Sequence, residues 1–90
     1  MKKAVITVIG KDKVGIISSV SAILSKRNVN ILDISQTILN DMFTMMMIVD
    51  VEKSKLKFAK LSDELTKAGV ELGVEIRIQL EDIFQAMHRI

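Results

Sequence analysis

The chain of 90 residues contains no cysteine, proline, tryptophan or tyrosine, and it has three phenylalanines and one histidine. Without cysteine there is no disulfide, no thiolate metal site and no cysteine nucleophile. Three phenylalanines are too few for the stacked aromatics on which RNA-recognition modules bind bases. His88 has neither a second histidine nor a cysteine with which to share a metal ion. These absences predict no metal ion and no cofactor, and they argue against an enzyme, because acid–base and nucleophilic catalysis lack their usual groups.

The charge balance is also small, with 13 Lys and Arg against 11 Asp and Glu and a formal net charge of +2. That excess is too low to indicate a nucleic-acid partner. No apolar run approaches the roughly 18 residues that cross a bilayer, so we expect no membrane partner. Lys2 and Lys3 precede only about six apolar residues, which is short for a signal peptide. The sequence therefore predicts a cytoplasmic location.

Apolar residues make up 49% of the chain, and there is no proline-rich or low-complexity linker. Residues 1–90 are therefore predicted to form a single domain. The mean hydropathy of +0.34 is high for a small monomer. We expect a second subunit to cover part of the apolar surface, most simply in a homodimer.

Hydrophobic periodicity predicts an ordered series of strands and helices. Asn40 and Asp41 suit a hairpin turn, Asp12 and Ser54 are candidate N-caps, and Gly73 is suited to end a helix. The predicted strands cover residues 3–9, 29–38, 43–51 and 74–80, and the predicted helices cover residues 13–26, a segment from Ser54 to about residue 72, and a short tail, 81–90.

In chain order these elements read βαββαβ, which predicts an α+β fold of the ferredoxin-like type. This topology places the first and third strands in the middle of an antiparallel sheet, and both strands are apolar on two faces. Two helices cover only one of those faces. The tail helix, a second subunit, or both are expected to cover the other.

A cluster of methionines in the third strand is the one feature that suggests a soft-metal site. Strand alternation places Met45 and Met47 on one face and Met42 and Met46 on the other. The pattern therefore favours packing in the core and at an interface over metal binding.

The segment from Gly10 to Ile16 leads from a strand into a helix. Backbone N–H groups and the positive end of the helix dipole meet there, which suits a small polar or anionic ligand. Each residue also has a purely structural interpretation. The glycines serve a tight turn, Asp12 caps the helix, Lys13 is a solvated charge, and Asn28 and Asn30 end the helix and start the next strand.

This loop, together with the helix-to-strand segment Asn28-Val29-Asn30-Ile31, resembles the ACT domain family. The resemblance covers the whole chain, and residues 30–37 and 81–90 are most similar to small stand-alone members. It departs at Val14, where many members carry proline. The resemblance implies a regulatory module that binds an amino acid or a similar small molecule where two domains associate side by side or face to face.

Carried over by motif, the resemblance implies that Asp12, Gly15 and Asn30 contact the ligand. We expect N–H groups near Gly15 and Ile16 to bind a carboxylate, and Asp12 and Asn30 to bind an ammonium group. The predicted ligand-binding set is Asp12, Lys13, Val14, Gly15, Ile16 and Asn30.

Three polar residues, Asp33, Ser35 and Thr37, share one face of the second strand. They form either a solvated face or an edge that pairs with a second subunit, and we predict the dimer interface there. The sequence thus predicts a ligand-sensing regulatory domain that modulates another protein. The alternative is a protein-interaction module without a ligand that docks on an enzyme or a transcription factor.

Overall fold

The computed structural model describes residues 1–11 and 14–82. Asp12, Lys13 and the tail from residue 83, which includes His88, lie outside the described residues, so the predictions that rest on them stay predictions. The described elements follow the order β1, α1, β2, β3, α2, β4. Their bounds are β1 Lys3–Lys11, α1 Ile16–Lys26, β2 Asn30–Leu39, β3 Met42–Asp50, α2 Phe58–Leu72 and β4 Val74–Leu80.

The four strands form one antiparallel sheet in the order β2-β3-β1-β4. β1 and β3 occupy the centre, which confirms the predicted α+β ferredoxin-like arrangement. Asn40 and Asp41 join β2 to β3 with φ angles of 50° and 67°. Two successive left-handed residues make the turn that matches the natural twist of a two-strand hairpin.

Both helices pack on one face of the sheet and enclose a single apolar core. The central strands supply alternate side chains to that core, among them Met45 and Met47, which are fully buried. Met42 and Met46 lie on the other face and are partly exposed. The split confirms the predicted alternation of these side chains between the two faces. From the helices, the buried side chains are Ile16, Val20, Leu24, Leu61 and Leu65.

The predicted start of each helix was wrong. α1 begins at Ile16 with Gly15 in the N-cap position, three residues beyond Asp12. α2 begins at Phe58 instead of directly after Ser54. The Ser54 hydroxyl accepts a hydrogen bond from Leu56 N at 3.1 Å and donates one to Leu56 O at 2.8 Å. Serine here forms a local turn, which competes with helix capping for the same hydroxyl.

Helical spacing over residues 13–26 predicts a buried stripe of Val14, Ile17, Val20 and Leu24, and the buried side chains of α1 differ from it. Ile16 and Val20 face the core, whereas Val14 is fully exposed and Ile17 is partly exposed. Since the helix begins at Ile16, Val14 precedes it and does not follow its helical spacing. An apolar side chain therefore lies in solvent beside the loop.

The opposite face of the sheet is only partly closed among the described residues. Val5 is buried there, Ile48 is half-buried and Met46 is exposed. Neither α1 nor α2 lies over this face. Within the part of the chain that the structure describes, no helix is both long and apolar enough to cross a membrane.

Two glycines permit close packing. Gly10 lies inside β1 opposite Phe43 and Val74. A Cβ there would lie 2.6 Å from Val74 Cγ1, so this glycine is required for space and not for a turn. Gly69 on α2 is buried, and a Cβ would lie 2.7 Å from the backbone oxygen of Val74. The helix thus approaches the sheet more closely than any side chain would allow.

Replacing Gly69 with alanine should destabilise the protein although alanine favours helix. The helix-propensity gain is about 1 kcal/mol, and the strain of an overpacked contact is about 1–3 kcal/mol. We expect a lower free energy of unfolding in urea, by about 1 kcal/mol. Thr66→Ala, at an exposed position of the same helix, is the control and should be neutral or slightly stabilising. Stabilisation by Gly69→Ala would show that α2 does not approach β4 in this way.

Candidate functional site

The loop between β1 and α1 turns on Gly15, whose φ of 93° lies in the left-handed region. Its carbonyl accepts hydrogen bonds from Ser19 N at 2.9 Å and from Ser18 Oγ at 3.2 Å. Among the described residues, a Cβ built on Gly15 would meet only Ser18 Oγ, at 4.0 Å. Glycine is therefore required by the backbone angle, and the space around it is open to a ligand.

The start of α1 is suited to an anion. The N–H groups in the first turn of any helix have no acceptor within the helix. Gly15 occupies the cap position and has no side-chain oxygen to offer them. No acidic residue lies in the first turn of α1. The positive end of the helix dipole is thus available to a carboxylate, beside the exposed side chains of Val14 and Ile17.

Asn30 does not lie beside this loop in the same chain. It is exposed, and it pairs with Asp50, which in turn pairs with Lys3 at the start of β1. The loop instead follows Lys11 at the other end of that strand. Eight residue steps of a strand span about 26 Å. The structure therefore brings Val14, Gly15 and Ile16 together and leaves Asn30 at the opposite end of the sheet.

A pocket of about 350 Å³ surrounds Asn30, between the end of α1 and the start of β2. Asn28 forms part of it with a left-handed φ of 62°. Its amide Nδ2 donates to Lys53 O at 3.1 Å, and its N donates to Ser25 O at 3.1 Å. Val29 N donates to Leu24 O at 2.8 Å, which completes a Schellman motif. Asn28 therefore ends the helix, and Asn30 is left with an exposed side chain.

A bidentate ion pair fixes this end of α1 against α2. Arg27 Nε donates to Glu64 Oε1 at 2.8 Å, and its Nη2 donates to Oε2 at 3.0 Å. Both side chains are partly buried. The hydrogen bond from Arg27 holds the pKa of Glu64 below its ordinary value, and the same bond raises the pKa of Arg27. The pair sets the position of the turn that leads to Asn30.

Strand β2 is one edge of the sheet, and all of its residues except the half-buried Ile31 are exposed. Asp33, Ser35 and Thr37 lie on the face opposite the helices, as their alternation predicts. On the helix side, α1 and α2 leave Ile34 and Ile38 exposed, at 41% and 56%. Sequence reasoning missed these two isoleucines, because an apolar residue on an inward face is ordinarily interpreted as core. Their position in an edge strand was the signal that would have found them.

Neither catalytic nor metal chemistry is indicated by the part of the chain described. Among residues 1–11 and 14–82, no group of three or more His, Cys, Asp or Glu side chains is arranged to bind a metal ion. In the same ranges, every buried side-chain nitrogen and oxygen has a hydrogen-bond partner. The groups available to bind a ligand are the backbone N–H groups of the loop, amide side chains and apolar side chains.

The described residues thus form a small α+β domain with a loop before α1 that suits an anion and an open edge strand. The ACT domain family model matches residues 2–89, and the chain belongs to that family. ACT domains are typically ligand-binding regulatory domains.

Within the family, the chain is similar to small single-domain proteins. It is 52% identical over 90 residues to a UPF0237 protein of Methanocaldococcus jannaschii, with 100% of both chains covered. It is 56% identical over 88 residues to a UPF0237 protein of Clostridium acetobutylicum, which covers 98% of this chain and 99% of that protein. An ACT domain protein from Streptococcus pneumoniae superposes with a TM-score of 0.81 at 45% identity, and covers 93% of this chain and 94% of its own.

The Arg27–Glu64 pair predicts a specific pH dependence. Because the folded pKa of Glu64 is lowered, its contribution to stability is present at neutral pH and is lost as the pH falls through that lowered pKa, below the ordinary value of 4.5. Glu64→Gln should therefore be less stable than the wild type at pH 7, and the difference should shrink towards pH 3. Urea unfolding of both proteins across this range measures it.

Glu71→Gln, on an exposed position of the same helix, is the control for loss of one acidic charge. It should show little difference from the wild type at either pH. A Glu64→Gln deficit that stays constant from pH 7 to pH 3 would contradict the role given to the ion pair.

Proposed function

We propose that the protein is a ligand-sensing regulatory homodimer that binds an amino acid or a similar small zwitterion at a site shared by two subunits, and that the bound dimer modulates another protein. The observation that carries the proposal is the separation of the loop from Asn30 within one chain. A second copy, paired through β2, supplies the missing half of the site.

Pairing through β2 is supported by the contrast between the two edges of the sheet. β4 has seven residues and displays an ion pair between Arg77 and Glu75 with an N–O distance of 2.6 Å. β2 has ten residues and a single charge, that of Asp33, and it has no proline. Charges and short length are the devices by which edge strands avoid association. β2 lacks them and adds the exposed side chains of Ile34 and Ile38.

Two β2 strands that pair antiparallel about a two-fold axis place the start of one strand beside the end of the other. Asn30 of the partner subunit then lies opposite Leu39. Leu39 pairs with Met42, and Met42 pairs with Lys11, which leads into the loop. Three interstrand spacings amount to about 14 Å. The dimer therefore brings the partner's Asn30 to the end of the sheet that carries the loop.

The chemistry of the combined site fits a zwitterion. N–H groups at the start of α1, near Gly15 and Ile16, are donors for a carboxylate. The Asp12 carboxylate and the side-chain oxygen of the partner's Asn30 are acceptors for an ammonium group. Val14 lies exposed beside the same loop and offers an apolar contact to the ligand side chain. Lys13 precedes Val14 in the sequence, and we include it in the proposed set for the positive charge that it adds to this loop.

A second candidate function is a protein-interaction module without a ligand. It is favoured by the apolar residues that remain exposed near the loop, Val14, Ile38 and Leu39. An apolar patch of this kind fits a partner such as an enzyme or a transcription factor. The two functions differ in one measurement, since only the first raises the melting temperature when an amino acid is added.

A charge placed in the middle of β2 should dissociate the dimer. Ser35→Lys puts a lysine close to its own copy across the two-fold axis, where like charges repel. We expect sedimentation velocity to show a mass near twice the chain mass of 10.1 kDa for the wild type and a folded monomer for this variant. Val70→Lys adds the same charge at an exposed position of α2 and should stay dimeric. A wild type that is monomeric at millimolar concentration would contradict the proposed pairing.

Mixing two binding-deficient variants should restore about a quarter of the sites. Titration calorimetry first identifies an amino acid that binds the wild type. Asp12→Ala and Asn30→Ala should each abolish that binding. In a shared site, a mixed dimer of the two variants has one intact site and one that lacks both residues. About a quarter of the wild-type capacity should therefore return in an equimolar mixture, because half of the dimers are then mixed.

The control is Asp12→Ala mixed with itself under the same exchange conditions, which should stay inactive. If the mixture of the two variants binds no ligand although each is a folded dimer, the site is not shared between subunits. If no amino acid at millimolar concentration binds the wild-type dimer, the interaction-module function replaces the ligand-sensing one.

A further inference from the structure

A second pocket lies at the turn between β3 and α2, at the end of the sheet away from the loop around Gly15. Its volume is about 400 Å³, which is within the range of small-molecule sites. It is lined by Lys2, Val51, Glu52, Ser54, Lys55, Leu56, Lys57, Phe58 and Leu61. None of these residues belongs to the site proposed above.

The pocket carries an excess of positive charge. Lys2, Lys55 and Lys57 line it, and within residues 1–11 and 14–82 none of the three side chains forms an ion pair. Glu52 is the acidic residue of the lining, and the N-terminal ammonium group lies 2.7 Å from its Oε1. Glu52 is therefore already neutralised, and the three lysines are left to attract an anion.

The backbone that presents the lysines is fixed before any ligand arrives. Lys55 N donates to Arg27 O at 2.8 Å, and Ser54 N donates to Val51 O at 3.1 Å. Asn28 Nδ2 donates to Lys53 O at 3.1 Å. These bonds tie the turn to the end of α1 and to the end of β3. A preorganised turn loses less conformational entropy on binding than a free loop does.

Apart from Ser54, the remaining lining is apolar. Leu56 and Phe58 are half-buried at the wall, and Val51 and Leu61 are buried beneath it. A ligand that fills this space therefore needs an anionic group for the lysines and an apolar or ring-shaped part for the wall. An ammonium group is a strong point charge and a common partner of phosphate.

We propose that this pocket is a second binding site, for a small molecule that carries a phosphoryl group attached to an apolar or aromatic part. The phosphoryl group lies among Lys2, Lys55 and Lys57, and the apolar part contacts Leu56 and Phe58. The site is independent of the amino-acid site and does not require the dimer.

Inorganic phosphate and phenyl phosphate, compared at an alkaline pH at which both are dianions, test both halves of the proposal. Each is titrated into the ¹⁵N-labelled protein at constant ionic strength, and amide chemical shifts are followed. We expect saturable shifts confined to Lys2 and to residues 51–61. Phenyl phosphate should bind at least about threefold more tightly than phosphate, because its ring removes apolar wall from water. Equal affinities would overturn the apolar contact.

Two double variants separate a built pocket from general attraction to lysine. Lys55→Gln with Lys57→Gln removes two charges of the lining and should weaken phenyl phosphate binding by about tenfold or more. Lys60→Gln with Lys67→Gln removes two exposed charges of α2 outside the lining and should change the affinity by less than about threefold. Equal losses in both variants would overturn the site. Wild-type shifts that fail to saturate, or that spread over all surface lysines, would also overturn it, as an adventitious interaction.

Discussion

The uncovered strand β2 is the constraint on which the rest of the structure depends. Two helices are enough to cover β1, β3 and β4, and the close contact of Gly69 with Val74 draws α2 towards the β4 side. Beyond Ile31, the residues of β2 are exposed, and among the described residues no strand pairs with the edge that faces away from β3. The backbone N–H and C=O groups on that edge are open to pairing, and Ile34 and Ile38 are partly exposed. In the proposed dimer, a second copy of the same strand satisfies both the hydrogen bonds and the apolar surface.

The same constraint explains the arrangement of the ligand site. The loop before α1 offers donors through its backbone, and it does so because Gly15 takes a left-handed angle with no side chain in the way. Asn30 offers an amide at the far end of the sheet, next to a turn held by Asn28 and by the Arg27–Glu64 pair. In the dimer that we propose, each chain contributes two half-sites, one at either end of α1. Antiparallel pairing joins them in pairs, so that ligand binding and association would stabilise each other.

The sequence was sufficient for the topology and insufficient for the helix starts and the site geometry. Alternation in β1 and β3 and the turn at Asn40 and Asp41 are local patterns, and they predicted the sheet correctly. The N-cap prediction for Ser54 failed because its hydroxyl hydrogen-bonds equally well in a short turn, and only the surrounding packing decides between the two. Asn30 is separated from the loop by the length of α1. The motif resemblance assigned Asn30 and the loop to one ligand site, but it gave no distance between them. The exposure of the two isoleucines of β2 was missed, because the residues that pair with them in β3 belong to the core.

Amide hydrogen exchange along β2 tests the paired edge most directly. If β2 pairs with its copy, the N–H groups that point away from β3 are hydrogen-bonded across the dimer. They should then exchange as slowly as those of the central strand β1 at high protein concentration, and faster on dilution. The outward N–H groups of β4, the other edge, serve as the internal reference for an unpaired strand. Exchange of the outward β2 amides at the β4 rate, at every concentration, would contradict the account.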